Sequence, residues 1–469
     1  MLFASIYMTP CKRCTASEAV LVSRKEHFCN DCFIKFVSLK QRKQLMSDDY
    51  YQDIFKMAYA DKKRNQEEAD LQNSKSNVLV ALSLGSSSLS VLDVLNDTLC
   101  EQKKSHRGKT GFQVEVLTLC HGSERDNVCE KITGLKEKYH DNLDKIKFHV
   151  VERKEFFNGS SELQEFKLFI DTYQPYVKDI PTDRKQELSV EDIILNAPNK
   201  TSREDLLNVI DTHLIKKFAL QHGFKAIVWG HSMTKLADEI ISLTVKGRGA
   251  EIPHYLDNSS LDEEYNEGFR NLHPARDVLL SELDAYCHIK SLSSFCYQYT
   301  VQDTLFLDKF VDKSTKNVKL IKSMTMNELA RQYFDNIEGD YSNVISTVVR
   351  TGAKLAYPNM EMEHTNENKR CDVCNAIIYK NPVTWLDGIT VNKAYEIQDE
   401  EEQANYEAWG KANNSDSQLS LQELQSEFPN KSNICYGCIS TLTGMKNRKL
   451  EWIKRDETEL SNILQEYEL

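Results

Sequence analysis

VLVALSLGSSSLSVLDVL, residues 78–95, reads as a buried strand, a tight glycine and serine loop, and the first turns of a helix. The run VLVALSL is apolar without alternation, as in a strand covered on both faces, and apolar spacing at helical period resumes after Ser88. In this layout, backbone N–H groups and the helix N-terminus attract a nucleotide phosphate. Nucleotide chemistry also wants a metal-holding carboxylate or a phosphate-facing Lys. Between Ser83 and Ser90 there is no charged residue. Hydroxyls can line an anion site but cannot hold Mg²⁺ as an Asp does. Two readings stay open: a degenerate nucleotide loop made of Ser83, Gly85, Ser86, Ser87 and Ser88, or a plain turn that binds nothing.

Outward from this stretch the pattern repeats. FQVEVLTLC at 112–120, KIKFHVVE at 145–152 and FKAIVWG at 224–230 read as further strands, with helical stretches between them, one of them Arg203–His222. Strands alternating with helices imply an α/β fold with a parallel sheet. Ligands in such sheets bind at the carboxyl ends of the strands, where the Gly85 loop and the Trp229-Gly230-His231-Ser232 turn would both lie. This core spans 76–340, with a long polar and acidic insertion near 153–200.

The chain holds thirteen Cys. In a reducing compartment that number points to metal rather than disulfides. Cys11, Cys14, Cys29 and Cys32 form two CxxC pairs, as do Cys371, Cys374, Cys435 and Cys438, and each set offers four thiolates to one structural zinc ion. Whether the later pairs, sixty residues apart, share one ion stays open. His27 reads as a surface residue, since four thiolates already complete the first site. The zinc module with its basic helix covers 1–45, and a connecting helix 46–75. The region 341–469 carries the second set, an acidic disordered insertion at 395–430 and a terminal amphipathic helix, LEWIKRDETELSNILQEYEL.

A net charge of −12 argues against a protein that coats nucleic acid, yet residues 1–45 hold eight Lys and Arg against three Asp and Glu. Arg13, Arg24, Lys25, Lys35, Lys40, Arg42 and Lys43 suit phosphate recognition on a folded RNA, or form a merely solvated basic face. No apolar run approaches the roughly 20 residues that span a bilayer, and the first residues lack a secretory pattern, so a cytoplasmic location without membrane contact is expected.

The loop can be written against S-G-G-x-D-S, the pyrophosphatase-loop pattern of ATP-dependent tRNA thiolases: Ser83, Gly85 and Ser88 keep their places, Leu84 sits at the first Gly and Ser87 at the Asp. In WGHSMTKLADEIISLTVKGRG, Thr234 and Lys235 stand where an active relative would be acidic. Together with CKRC…CNDC, NLHPARDVLLSELDAYC, STVVRTGAKL and CDVC…CYGC, these motifs resemble the cytoplasmic tRNA 2-thiolation protein 2 family over nearly the whole chain. The resemblance implies a degenerate adenine nucleotide alpha hydrolase-like core flanked by two zinc modules. It also implies a catalytic thiolase partner that activates the wobble uridine of tRNA Lys, Gln and Glu with ATP, and a thiocarboxylated ubiquitin-related sulfur carrier reached through that partner. Active relatives also carry a CxxC that serves iron–sulfur or persulfide chemistry, where this chain has Ala197–Lys200 and no thiol. Cys287 and Cys296 remain, but a lone Cys cannot complete a cluster site. Arg276 and Glu282 are expected as structural or RNA-facing remnants. The expectation is a non-catalytic subunit without bound ATP or iron–sulfur cluster. Its rivals are an active ATP-dependent tRNA thiolase and a zinc-dependent protein-interaction adaptor.

Overall fold

The computed structural model describes residues 9–46, 50–60, 65–158, 162–169, 173–181, 188–265, 268–309, 321–357, 370–389, 399–413 and 421–454. Packing groups the chain into two compact units. One is drawn from Met1–Arg153, Asn208–Val245 and Ile252–Tyr357, the other from Lys154–Leu207, Lys246–Glu251 and Pro358–Leu469. These lines differ from the serial boundaries at 45, 75 and 340, because elements far apart in sequence complete one another's cores.

With strands numbered along the chain, β3 (Asn77–Ala81), β4 (Gln113–Cys120), β5 (Ile146–Glu152), β8 (Ala226–Trp229) and β9 (Arg270–Leu272) build the first unit's sheet in the order β5-β4-β3-β8-β9. Every pairing in it is parallel. Val78 and Val80 join Val114, Val116, Leu89 and Leu92 in one apolar cluster, while Leu79 joins Leu117, Ile215, Ile227 and Phe269 in another. Burial on both faces is why these strands read as unbroken apolar runs. The chain leaves β3 through β4 to β5 and returns to place β8 on the other side of β3. The order therefore reverses at β3, and the carboxyl ends of β3 and β8 mark the switch point at which ligands bind in sheets of this kind. Strand β9 is three residues long, too short to show a period, and the sequence does not reveal it.

The first cysteine module belongs to this unit. Strands β1 (Leu21–Ser23) and β2 (Glu26–Phe28) pair antiparallel and lead into the helix Asn30–Met46. Phe28, Phe33 and Val37 fall in the same cluster as Val78 and Val80. The single connecting helix expected over 46–75 is instead two, Tyr50–Ile54 and Gln66–Lys75. The second starts afresh because Asn65 and Glu68 form a reciprocal capping box. The boundary at 340 falls inside one helix, Met326–Gly352, which departs from helical dihedrals at Tyr341.

In the second unit, β6 (Leu163–Phe169), β7 (Gln174–Ile180), β10 (Asn430–Lys431) and β11 (Lys449–Ile453) form an antiparallel sheet in the order β10-β7-β6-β11. The segment near 153–200 thus supplies two strands, with Phe156, Phe157, Leu163, Phe166 and Leu168 buried. Two further expectations are corrected. The start of the supposed terminal helix, LEWI, is strand β11, with Leu450 and Trp452 buried at a period of two; residues 455–469 lie outside the described residues. The acidic stretch, taken as disordered, holds the helices Glu400–Asn413 and Leu421–Glu427. Leu424 and Phe428 pack with Tyr176 there, anchors that the average composition conceals.

Candidate functional site

The first tetrad is assembled by a turn and a helix start. Cys11 N–H donates to Ser17 O at 2.8 Å and Thr15 N–H to Cys11 O at 2.9 Å, with Thr15 in left-handed backbone at φ 56°. Cys29 and Cys32 flank the first residues of the helix, where Phe33 N–H donates to Cys29 O at 3.0 Å. The four sulfurs lie within 4.8 Å of one another, with Cys14 Sγ and Cys29 Sγ 3.8 Å apart. An ion with ligands at 2.3 Å in a tetrahedron has sulfurs about 3.8 Å apart, so the tetrad fits one zinc. Burial acts to raise the Cys11 thiol, yet backbone N–H groups of Cys14, Cys29 and Arg13 hold it down at about 6. Cys32 is half-buried, and desolvation with the neighbouring sulfurs of Cys29, Cys14 and Cys11 pushes it up to about 12. A second thiol does not ionise beside the first without a cation to share. His27 stays outside the tetrad.

The second tetrad repeats the design. Cys371 N–H donates to Ala376 O and Asn375 N–H to Cys371 O, both at 2.9 Å, and Asn375 takes the left-handed backbone at φ 70°. Cys435 precedes the helix Tyr436–Gly444, which carries Cys438. Cys374 Sγ and Cys435 Sγ are 3.6 Å apart, and again all four sulfurs lie within 4.8 Å. The later pairs therefore do converge, although sixty residues separate them. Sequence reasoning missed a fifth participant, Arg248, whose guanidinium bonds three of these sulfurs. The signal was the GRG of residues 247–249, which stands at the end of WGHSMTKLADEIISLTVKGRG.

At the switch point, the loop after β3 is bonded to itself and to its neighbours. Leu84 is left-handed at φ 55° and its side chain is buried, while its carbonyl accepts from Tyr297 N–H at 2.9 Å. Ser88 Oγ lies 3.2 Å from Ser83 Oγ and donates to Gly85 O at 3.1 Å. Ser86 is buried, with its carbonyl 3.1 Å from the Cys287 thiol; Ser87 is half-buried. Gly230 presses against the start of the helix Ser86–Ser105, where an added Cβ would stand 2.5 Å from Ser88 Cα. The close approach of a strand-end loop is intact, and the loop carries no carboxylate.

The neighbouring turn is likewise occupied by packing. Thr234 Oγ1 accepts from Leu280 N–H at 3.1 Å, and Lys235 pairs with Glu239 and Asp238, the latter also held by Arg331. His231 stacks between Trp229 and His273 with centroids 5.5 and 5.3 Å away, and Tyr255 Oη lies 3.1 Å from its Nδ1. Burial, with Lys235 nearby, drives the His231 imidazole down to about 4, so it is neutral at physiological pH. Tyr255, His273 and Arg331 were not singled out from sequence, as they come from three other segments. Over Ala197–Lys200, where the resemblance implies a further CxxC in an active relative, Asn199 Oδ1 accepts from Ser202 N–H at 2.8 Å and the helix Lys200–Gln221 begins. Burial raises the Cys287 thiol well above its ordinary value and Cys296 to about 11, which leaves both protonated.

The seven basic residues do not form one free patch. Arg24 clamps the buried Glu282 carboxylate at 2.7 Å, and Ser23 Oγ donates to it at 2.8 Å. Lys40 bonds Asp277 O at 3.1 Å and lies 4.0 Å from Glu282. Arg42 pairs with Glu101 and Arg13 with Glu26. Lys25, Lys35 and Lys43 are exposed. Glu282 is thus buried and held by groups of the chain itself. Arg276 is half-buried.

Fold and site together define an α/β parallel-sheet protein with two four-cysteine sites able to hold metal and an uncharged loop at its switch point. A family model described as cytoplasmic tRNA 2-thiolation protein 2 matches residues 325–440. Proteins of that name from Kluyveromyces lactis, Candida glabrata and Saccharomyces cerevisiae are 65%, 42% and 36% identical to this chain, over 98% of it and 98%, 99% and 98% of their own lengths. The chain belongs to the cytoplasmic tRNA 2-thiolation protein 2 family, whose name assigns it to cytoplasmic tRNA 2-thiolation. Among solved structures, the U34-tRNA thiolase NcsA from Methanococcus maripaludis with its 4Fe-4S cluster is similar at a TM-score of 0.47 and 15% identity, covering 78% of this chain and 94% of that one. No described helix is long and apolar enough to cross a membrane.

Proposed function

We propose that this chain is a non-catalytic, zinc-bearing subunit of the cytoplasmic complex that 2-thiolates the wobble uridine of tRNA Lys, Gln and Glu. A catalytic thiolase of related α/β core would form a heterodimer with it, activate the uridine with ATP, and receive sulfur from a thiocarboxylated ubiquitin-related carrier. This chain would support that partner and add tRNA contacts through Lys25, Lys35 and Lys43.

One observation carries the reading. At the carboxyl ends of β3 and β8, where a nucleotide would be worked on, hydroxyls bond one another, Lys235 and Arg331 hold Asp238, and the Cys287 thiol is buried and protonated. Neither a metal-holding loop carboxylate nor a nucleophilic thiolate is presented. In the tetrads, zinc when bound supplies folding energy to its module. A four-iron cluster binds each cysteine through a different iron, whereas sulfurs within 4.8 Å of one another suit a single ion.

The test is reconstitution. Chain purified alone should not thiolate tRNA when given ATP and a sulfur donor, and cells lacking it should lose 2-thiouridine from the three tRNAs. Thiolation by the isolated chain would make it the enzyme; normal 2-thiouridine in its absence would remove it from the pathway.

A further inference from the structure

The two tetrads share ligands and pair spacing but differ in what surrounds their sulfurs. Arg248 is 3% exposed. Its Nη1 donates to Cys374 Sγ at 3.4 Å and Cys435 Sγ at 3.6 Å, and its Nη2 to Cys438 Sγ at 3.3 Å. From behind, Asp205 accepts from Nε at 3.0 Å and from Nη2 at 2.7 Å, Glu251 accepts from Nη1 at 3.1 Å, and Lys246 stands 3.5 Å from Asp205. The backbone clears the way for this side chain. A Cβ on Gly437, between Cys435 and Cys438, would stand 2.6 Å from Arg248 Cγ, and one on Gly247, at φ +76°, would stand 2.4 Å from the Tyr436 ring.

We propose that Arg248 is a positioning residue of the C-terminal tetrad, orienting its sulfurs through donated N–H bonds, and that this tetrad consequently exchanges its metal far more slowly than the N-terminal one. The inference rests on the reading that both tetrads hold zinc. Four thiolates around a divalent ion keep a surplus of two negative charges. In a buried place such a surplus is costly unless countered nearby. A guanidinium suits the place because its planar fork can donate to sulfurs on one edge and to a carboxylate on another, which an ammonium cannot do. Partners of metal ligands fix ligand orientation, and losing one typically costs about 10–100-fold in metal affinity. Donated N–H bonds also occupy the lone pairs that a proton or an electrophile would attack.

The N-terminal tetrad is more open. Backbone N–H groups bond Cys11 Sγ, the adjacent cations Lys12 and Arg13 are exposed and bonded to Glu26, and Cys14 itself is exposed. A chelator or alkylating agent meets Cys14 Sγ without displacing any side chain.

The experiment uses the full chain. Zinc content is measured first: protein without zinc would end the zinc reading itself, whereas the inference is tested only on protein that holds two ions. Challenge with an excess of a chromogenic chelator should release one zinc quickly and the other at least about tenfold more slowly. Cys14→Ser should remove the fast phase and Cys438→Ser the slow one. Arg248→Met and Gly437→Ala should bring the slow phase to within a few-fold of the fast one, and Arg248→Lys should fall between. Equal release rates in the wild type, reversed assignment of the phases, or a slow phase unchanged in Arg248→Met would each overturn the inference. Should the Arg248 variants fail to fold, alkylation of the wild type followed by peptide mass spectrometry decides: Cys14 should be labelled before Cys374 and Cys435, and the opposite order would refute it.

Discussion

Two strand-to-helix junctions of the first unit make an instructive pair. At the end of β2, Cys29 and Cys32 keep every ligating group and meet Cys11 and Cys14 within 4.8 Å. At the end of β3, the loop around Gly85 keeps its backbone path and its glycine-sized contact with Gly230, but no charged side chain. The difference shows what preserves each. A metal-bound turn is held by its ligands, so its chemistry and its stability are the same thing. A strand-end loop is held by burial of Leu84, Leu89 and Leu92 and by close packing on Gly230, so its shape depends on no charged group. The glycine there testifies to packing and says nothing about a nucleotide.

The comparison is broken most forcefully by removing metal. Zinc binding supplies on the order of 10 kcal/mol to a small thiolate module. Chelation, or Cys438→Ser for the second site alone, should therefore melt the affected module before the sheet. Hydrogen exchange should show reduced protection over Tyr436–Gly444 while β3 and β4 stay protected. Loss of protection everywhere at once would mean that the tetrads hold more than their own modules.

Next in size is the clamp on Glu282, which is fully buried and meets an Arg24 that is about one-third exposed. Leaving a buried carboxylate without its partner costs roughly 3 kcal/mol, and Arg24→Ala should lower stability by about that amount in denaturant titrations. Burial acts to raise the Glu282 carboxyl, but Arg24 and Lys40 outweigh it and hold the group below its ordinary value. A carboxyl lowered in the folded state stabilises above its unfolded value of about 4.3 and loses that contribution as pH falls through the folded value. Arg24→Ala should accordingly flatten the acid limb of the stability profile, and an unchanged limb would assign acid sensitivity elsewhere.

Within the loop itself, two substitutions separate shape from chemistry. Gly230→Ala places a methyl against Ser88 backbone and should destabilise the chain by about 2 kcal/mol, as overpacking does. Ser87→Ala, at the position an active relative would give to Asp, should change stability by less than about 0.5 kcal/mol and leave tRNA thiolation by the complex near normal. A large loss of thiolation in a stably folded Ser87→Ala chain would restore a chemical role to the loop.

How much of this could be read from the sequence follows the range of the interactions. Four of the five sheet strands were legible because burial on both faces writes itself as apolar runs, and the tetrads because CxxC spacing is local. Strand β9 and the LEWI strand were not, being short or lacking a period long enough to outvote the helical pattern around them. Arg248, Glu282 and the His231 stack depend on partners 43, 258 and 42 residues away, Asp205, Arg24 and His273, and no local pattern announces such pairs. The same range hid the fate of the basic residues. Arg24, Lys40 and Arg42 look as free in the sequence as Lys35, and only the folded chain brings Glu282 and Glu101 to them.

That separation sharpens the last and smallest expectation. If the N-terminal module meets tRNA, the residues able to do so are those whose charge is not answered among the described residues: Lys25 in the turn before β2, and Lys35 and Lys43 on the helix, all exposed. Each phosphate left without its lysine should reduce the slope of log affinity against log salt by about one unit. The triple change to Glu should therefore weaken tRNA binding by the complex and flatten its salt dependence, with thermal stability nearly unchanged because none of the three supports the fold. Arg42→Glu should do the reverse, removing the pair with Glu101 and costing stability while leaving the salt slope alone. Identical salt slopes for wild type and the triple variant would make the basic residues of this module a solvated face and move the tRNA contacts elsewhere. A flattened slope for Arg42→Glu alone would mean that its pairing with Glu101 yields to phosphate when RNA arrives.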